Sequence, residues 1–515
     1  SATSATSATS ATSPDLADDR DDIAVIAVAG RYPGASDLAA FWRNLAGGVS
    51  SIREVPADRW RWQDAIDARQ GPQAWQRWGG FLDGVDQFEP ELFGVLPVDA
   101  ANIDPQERLF LETTWALLEE AGYLGPSHEP QTGVFAGLMY GTYGEMAAQS
   151  WPLGELSGAH SAYWSVANRV SYTFDLQGPS FAVDSACSSS LTAVQLACEA
   201  LRRGDCKMAI AGGVNLVLHP AHLASLGARH MLAPDGACKA FDAAADGYVP
   251  GEGVGAVLLK PLRAAVADGD SIWAVIKGGA LNAGGKTSGY TVPNPNAQAA
   301  LIERALERAA VSPRSLSYVE AHGTGTSLGD PIELAALAKA LGAGDPDEPW
   351  SCAFGSVKSN LGHLEGAAGI AALTKVLLQL RHQQLAPTIH LDTLNPKIDL
   401  RGTPLAPVRA LAPWRPIGGL RRAGVSSFGA GGANVHLVVE EWTGSLPPRV
   451  PALREQLFVL SAPSAERLAA YAAKVAASLT TPTPGQSLAD LAYTSQLGRR
   501  VFEHRLAVAA TTIEH

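Results

Sequence analysis

Cysteine is scarce and scattered. The five residues Cys187, Cys198, Cys206, Cys238 and Cys352 contain no CxxC pair. That argues against a disulfide scaffold and a zinc site, and no metal is expected. It suits a reducing, cytoplasmic setting. Long apolar runs are missing too: none approaches the ~18 residues that cross a bilayer. No charged n-region precedes an apolar core at the N-terminus, so no signal peptide is expected. Basic residues are in deficit, with 39 Lys and Arg against 51 Asp and Glu and a net charge of −12, which disfavours nucleic acid as a partner. Neither a Walker-type phosphate loop nor a dinucleotide fingerprint is present. What remains is a globular composition, 46% hydrophobic and 17% charged over 515 residues, enough for one to three domains.

Residues 1–13 repeat Ser-Ala-Thr and run into an acidic stretch, so 1–21 reads as a flexible linker. Order is expected from Asp22. Strand-like runs at 23–29, 134–137, 181–184, 208–218, 253–260 and 272–276 alternate with helical patterns at 38–45, 105–122 and 188–203. The second part repeats the theme, with strands at 316–321, 423–427 and 435–440 and helices at 297–310, 331–341 and 365–380. The alternation predicts an α/β fold, and the doubled order hints at two similar halves, about 22–265 and 266–441. A Pro-rich passage at 446–451 precedes a strand–helix–helix–strand set over 457–509. Residues 442–515 therefore read as a small α/β appendage that stops without a terminating element.

Four stretches carry chemistry. In Val183-Asp184-Ser185-Ala186-Cys187-Ser188-Ser189-Ser190 a strand turns into a helix through small residues. A thiol at a helix start has its pKa lowered, which suits a nucleophile. The other four cysteines read as buried filler. In Ala321-His322-Gly323-Thr324-Gly325-Thr326 a histidine follows a strand into a Gly/Thr loop. It points to a cleft, and the two hydroxyls, two residues apart, can hold a polar linker. Asp330 reads as the N-cap of the next helix. In the third stretch, 355–369, His363 stands at the mouth of a helix of small residues, with Lys358 in the preceding loop. A helix N-terminus favours neutral imidazole. The fourth, Gly424 to Asn434, is a Gly-rich turn whose backbone is expected to pass close to a ligand, with Phe428 as a movable wall.

One cysteine followed by two histidines, each on a Gly/Ala-rich turn, resembles the ketosynthase (β-ketoacyl synthase) family of the thiolase-like fold. The likeness covers 22–441 and extends to Asp104-Pro105-Gln106-Glu107-Arg108, Ala167 to Tyr172, Gly178-Pro179-Ser180 and Pro293 to Asn296. It is similar to the ketosynthases of modular polyketide synthases. The 429–434 turn and the Trp78-Gly79-Gly80-Phe81-Leu82 segment resemble modules served by a separate acyltransferase acting in trans. The tail is similar to the start of the linker domain that follows such ketosynthases.

The resemblance implies a five-layered αβαβα arrangement of two halves. It implies a homodimer paired through the Phe181–Asp184 strand. It implies acyl transfer from an acyl carrier protein to Cys187, then decarboxylative condensation with malonyl-carrier protein. His322 and His363 would stabilise the enolate, and Lys358, paired with Glu333, would orient and polarise the His363 side. The amides of Cys187 and Phe428 would form the oxyanion hole. Thr324 and Thr326 would hold phosphopantetheine, with Asp330 and Glu333 as structural support. Substrates ride on the carrier's phosphopantetheine, and no bound cofactor is implied. The acyl tunnel is expected along Met139, Tyr140, Trp164, Met231 and Phe428, the apolar and aromatic residues in loops beside the motifs. One departure is Ser185, where the family usually shows Thr; the hydroxyl survives. The alternatives are a ketosynthase that only passes the chain on and one specialised for chain branching. Cysteine-less chain-length partners and thiolases acting on free coenzyme A fit the motifs less well.

Overall fold

The computed structural model describes residues 22–60, 77–150, 159–343, 350–444, 455–480 and 486–514. The expected linker 1–21 and the Pro-rich passage 446–451 lie outside these.

Strand β1 (Ile23–Arg31) is apolar on both faces and buried over most of its length, the pattern of a strand covered by helices on either side. With β2 (Thr132–Gly137), β3 (Ser180–Val183), β4 (Met208–Asn215) and β5 (Gly253–Pro261) it forms the order β3-β2-β4-β5-β1. The next strands are β6 (Ala274–Ala283), β7 (Tyr318–Glu320), β8 (Cys352–Gly355), β9 (Leu405–Pro407), β10 (Arg422–Phe428) and β11 (Ala433–Glu441). Their order is β6-β11-β10-β7-β8-β9. In the first set two antiparallel pairs, β1/β5 and β5/β4, are followed by two parallel pairs, β4/β2 and β2/β3. The second set repeats this with β6/β11 and β11/β10, then β10/β7 and β7/β8. Strand for strand, the two halves share one topology, and β9 is an addition at the second edge. A short antiparallel pairing of Ile23–Val25 with Ala274–Ile276 joins the sets.

Helices complete the layers. Helices α1 (Pro105–Ala121) and α2 (Tyr163–Thr173) cover the outer face of the first set through Leu109, Leu117, Val166 and Val170. Helix α3 (Ser189–Arg203) runs between the sheets, and α4 (Pro220–Ala228) follows β4. Helices α5 (Pro295–Arg308) and α6 (Gly329–Leu341) cover the second set through Ile302, Leu306, Leu334 and Leu337. Helix α7 (Ala368–His382) packs against α3. One core cluster joins Leu191 and Val194 of α3, Ile370 and Leu373 of α7, and residues of both strand sets such as Val257 and Leu437. The result is the expected αβαβα sandwich with α3 and α7 as its middle layer.

Beyond it, β12 (Gln456–Ala462) pairs antiparallel with β13 (His504–Ala510), and α8 (Ala465–Leu479) and α9 (Leu488–Leu497) pack on β12. Arg467 reaches Glu89 at 2.5 Å and Arg499 donates to the Glu119 carbonyl at 2.6 Å, tying this unit to the sandwich.

Several boundaries differ from expectation. The helix expected at Glu365 starts at Ala368, because Glu365 adopts φ +45 and leads a 3-10 turn instead. The strand expected to end at 276 continues to Ala283.

Candidate active site

The Cys187 turn hangs between β3 and α3. Ala186 takes φ +57, a left-handed conformation that costs a non-Gly residue roughly 1–3 kcal/mol and persists only where its surroundings enforce it. Here short polar side chains do so. Asp184 accepts the Ala186 amide at 3.0 Å, and the Ser189 hydroxyl accepts the Ser185 amide at 3.0 Å while donating to the Ala186 carbonyl at 2.6 Å. The Ser185 hydroxyl lies 2.9 Å from that of Ser188 and 3.1 Å from that of Thr192, so serine carries the turn's hydroxyl contacts.

The Gly-rich turn between β10 and β11 lies directly against it. Ser427 donates to the Cys187 carbonyl at 2.9 Å, and Ser188 donates to the Ala433 carbonyl at 2.9 Å. A Cβ on Gly429 would stand 2.3 Å from the Ser185 carbonyl oxygen, so only glycine fits this approach.

Cys187 is buried, 8% exposed. Its thiol pKa is pushed up to about 12, first by burial and then by the negative charge of Glu365; the Ala430 amide, Lys358 and its own amide oppose this. The lowered thiol pKa expected from the sequence is therefore corrected. Helix α3 begins only at Ser189, and loss of water outweighs its dipole. The amide that faces the sulfur is that of Ala430. The Phe428 amide, expected there, instead points at His322 Nδ1, 3.4 Å away.

His322 follows β7, and a carboxylate organises its loop. Both oxygens of Glu333, on α6, accept backbone amides, from His322 at 2.6 Å and Gly323 at 2.8 Å. Asp330 accepts the amides of Phe241 (2.7 Å), Thr324 (3.1 Å) and Gly325 (3.2 Å). Asp330 thus sits inside the first turn of α6 and reaches back to the loop, where the sequence suggested an N-cap. Burial pushes Asp330 up to about 6 and Glu333 up to about 7, against the pull of these amides. The Thr324 and Thr326 hydroxyls are 3.2 Å apart, facing the same way.

His363 is held by its amide on the Val249 carbonyl (2.6 Å), and its Nδ1 accepts the Glu365 amide at 2.9 Å. In both histidines Nδ1 is an acceptor, which assigns the ring proton to Nε2. Burial and the nearby Lys358 charge hold both pKa values well below the ordinary histidine range. The site thus contains two neutral imidazoles, ring centroids 5.4 Å apart and nearly perpendicular, each carrying an Nε2–H donor. Lys358 is buried, its pKa lowered by desolvation while Glu320 and Glu333 resist. The direct pairing of Lys358 with Glu333 is replaced by action through space, since the Glu333 oxygens hold the loop amides.

Of the expected tunnel residues, Met139 and Tyr140 are half-buried at the end of β2. Tyr140 is close enough to feel the Glu365 and Cys187 charges, and Gln106, from the 104–108 motif, donates to its carbonyl at 2.8 Å. Phe428 stands 5.7 Å from His322. Met231 packs beside Tyr248, whose ring is 4.9 Å from His363. Trp164 is corrected: it is 64% exposed on the outside of α2, and its neighbour Tyr163 turns inward to donate to the Met139 carbonyl at 2.8 Å. The sequence reading missed Ala430, Tyr248, Glu365 and His222. Only Glu365 carried a signal, its place two residues after His363.

Among the described residues no group of three or more His, Cys, Asp or Glu could hold a metal ion, and no helix is long and apolar enough to cross a membrane.

A family model described as beta-ketoacyl synthase, N-terminal domain, matches residues 20–265, its C-terminal domain counterpart matches 273–392, and a CurL-like PKS C-terminal model matches 456–515. Polyketide synthase ThaG of Burkholderia thailandensis is 50% identical over 95% of the chain, which spans 9% of that protein. Polyketide synthase PksM of Bacillus subtilis is 48% identical over 96% of the chain, which spans 12% of it. The chain is thus about a tenth the length of these relatives. Among solved structures, the oxazolomycin ketosynthase domain OzmH KS7 from a Streptomyces superposes with TM-score 0.89 at 48% identity, covering 96% of this chain and 86% of that one. The ketosynthase from module 6 of the Bacillus subtilis bacillaene synthase gives 0.86 at 39%, covering 96% and 83%.

Proposed function

The chain belongs to the β-ketoacyl synthase family, and on that premise we propose that it is the chain-elongating ketosynthase of a polyketide synthase module, with the roles divided as follows. Cys187 Sγ attacks the thioester carbonyl of an acyl chain on a carrier protein's phosphopantetheine. The carbonyl oxygen becomes an oxyanion held by the Cys187 and Ala430 amides, each such donor being worth roughly 3–4 kcal/mol. The tetrahedral centre collapses, the thiol proton leaves on the departing pantetheine sulfur, and the chain stays on Cys187. Malonyl-carrier protein then enters along Thr324 and Thr326. Loss of CO2 leaves an enolate whose oxygen accepts hydrogen bonds from His322 Nε2 and His363 Nε2. The enolate carbon attacks the acyl-Cys187 carbonyl, the sulfur leaves and regains a proton from water, and a β-ketoacyl thioester departs. Lys358 keeps the histidines neutral, while Glu333 and Asp330 hold their loop.

One observation carries this reading. Two neutral imidazoles, both with Nδ1 occupied, present Nε2–H donors beside a cysteine whose turn is tied to the same Gly-rich loop. Donors without a general base suit an enolate whose charge arises by CO2 loss. The presence of His322 favours elongation over mere chain transfer.

The finer assignments belong to the same proposal. The domains are a linker at 1–21, halves at 22–265 and 266–441, and a post-ketosynthase α/β unit at 442–515. The acyl tunnel runs along Met139, Tyr140, Met231 and Phe428. Malonyl loading comes from an acyltransferase acting in trans, supported by the Trp78–Leu82 segment, and the setting is cytoplasmic. A homodimer is supported by β3, which among the described residues pairs with β2 alone and exposes Phe181 at 41%.

Intact-protein mass spectrometry tests the nucleophile. Incubation with an acyl thioester adds one acyl mass to the wild type and none to Cys187→Ala. An adduct that persists in the variant overturns the assignment.

A further inference from the structure

Beside the thiol lies a buried ion pair that the proposed chemistry does not use. His222 Nε2 on α4 stands 2.8 Å from Glu365 Oε2, with both side chains sealed from solvent. Asn215 Nδ2 donates to the same oxygen at 3.1 Å, while among the described residues Glu365 Oε1 and both His222 ring nitrogens lack an aligned hydrogen bond, so the His222–Glu365 contact is one of charge and proximity. Glu365 takes φ +45, and its amide donates to His363 Nδ1. The His222 ring packs at 4.0 Å on that of Tyr140. A carboxylate is thus set where its charge bears on Cys187 and on His222.

A residue whose backbone fixes the His363 tautomer must sit here, but its carboxylate opposes any negative charge that develops on Cys187. Unpaired, such a buried charge is strongly disfavoured. We propose that His222 is a positioning residue of the condensing site: as an imidazolium it cancels the Glu365 charge, pins that side chain, and so lets the Glu365 amide serve His363 without raising the barrier to attack by Cys187. This rests on Cys187 being the nucleophile. The groups that bear on His222 are Glu365, Glu145 of the 142–150 helix and Glu252, with Tyr140 against its face; together they hold its pKa above the ordinary value despite burial. Those that bear on the thiol are Glu365 and Lys358.

The test is the pH dependence of iodoacetamide alkylation at Cys187, followed by mass spectrometry with melting temperatures alongside. His222→Gln leaves Glu365 uncompensated, so alkylation at a given pH is expected to slow by about tenfold, one unit of thiol pKa. His222→Lys restores the rate, and Glu365→Gln exceeds the wild type. His222→Gln combined with Glu365→Gln recovers the rate lost in the single variant. A purely structural role predicts that melting temperature changes while the alkylation profile does not, and that result overturns the proposal. If His222→Gln fails to fold, the comparison of Glu365→Gln with wild type decides: no acceleration overturns it. The Cys187→Ala loading experiment fails or succeeds independently of this series.

Discussion

At the residue scale the site is governed by burial. Burial pushes the Cys187 thiol up to about 12, so Cys187 rests as a thiol at neutral pH, and on the proposed mechanism it reacts once a thioester carbonyl lies against the two amides. Its alkylation rate should therefore climb about tenfold per pH unit beyond pH 10. A plateau near the ordinary thiol value of ~8.5 would contradict this. For the histidines the sign runs the other way. Their pKa values are depressed, so the neutral donor forms persist as pH falls through 6.5. Malonyl decarboxylation should show no acid limb near pH 6.5, and a halving of the rate there would place the histidines outside their buried setting. Cys187, His322 and His363 were legible because each stands on a turn of small residues with no structural use for it. The direction of the thiol shift was not, since it comes first from the layers of fold that bury the turn and only then from Glu365. The replacement of Phe428 by Ala430 as the amide donor was hidden for a similar reason: two amides of one loop point to different partners.

At the scale of elements, the Gly-rich turn and the nucleophile turn act as one piece. Gly429→Ala drives a Cβ into the Ser185 carbonyl at 2.3 Å, an overpacking that costs roughly 1–3 kcal/mol. It should lower the melting temperature and abolish acyl loading together. Gly431→Ala meets only the exposed Tyr290 hydroxyl, at 3.0 Å, which can swing away, and should retain loading. Equal loss in both variants would mean that loop flexibility, not the Ser185 contact, matters. Long, strongly patterned elements such as α1, α3 and β1 were legible from periodicity. Strands β8 and β9 were not, being four and three residues long, too short for an alternation to register. Helix α4 escaped because only His222, Leu223, Leu226 and Gly227 are buried along it, which leaves one thin apolar face. The turn at Glu365 escaped because its left-handed backbone is imposed by His363 and not by its own residue type.

At the scale of the molecule, duplication explains the placement of the chemistry. Cys187 follows β3 of the first half, and His322 and His363 follow β7 and β8 of the second, so the repeat brings strand ends of both halves to one centre. The doubled order of elements hinted at this; the identity of strand directions in the two halves needed the pairings. The edge that β3 leaves open among the described residues predicts a dimer, since an unpaired edge strand invites association and a two-fold axis satisfies it. Sedimentation at micromolar concentration should give twice the chain mass, and a stable monomer would refute it. On the proposed mechanism the two halves contribute different steps, thiol acylation from the first and enolate formation from the second. The direct measurement is simultaneous mass spectrometry of acyl-Cys187 and detection of CO2 in wild type, His322→Ala and His363→Ala, each given acyl thioester followed by malonyl-carrier protein. Both variants should accumulate the acyl adduct and release no CO2 above background, whereas loss of the adduct in either, or CO2 release at the wild-type rate, would contradict the account.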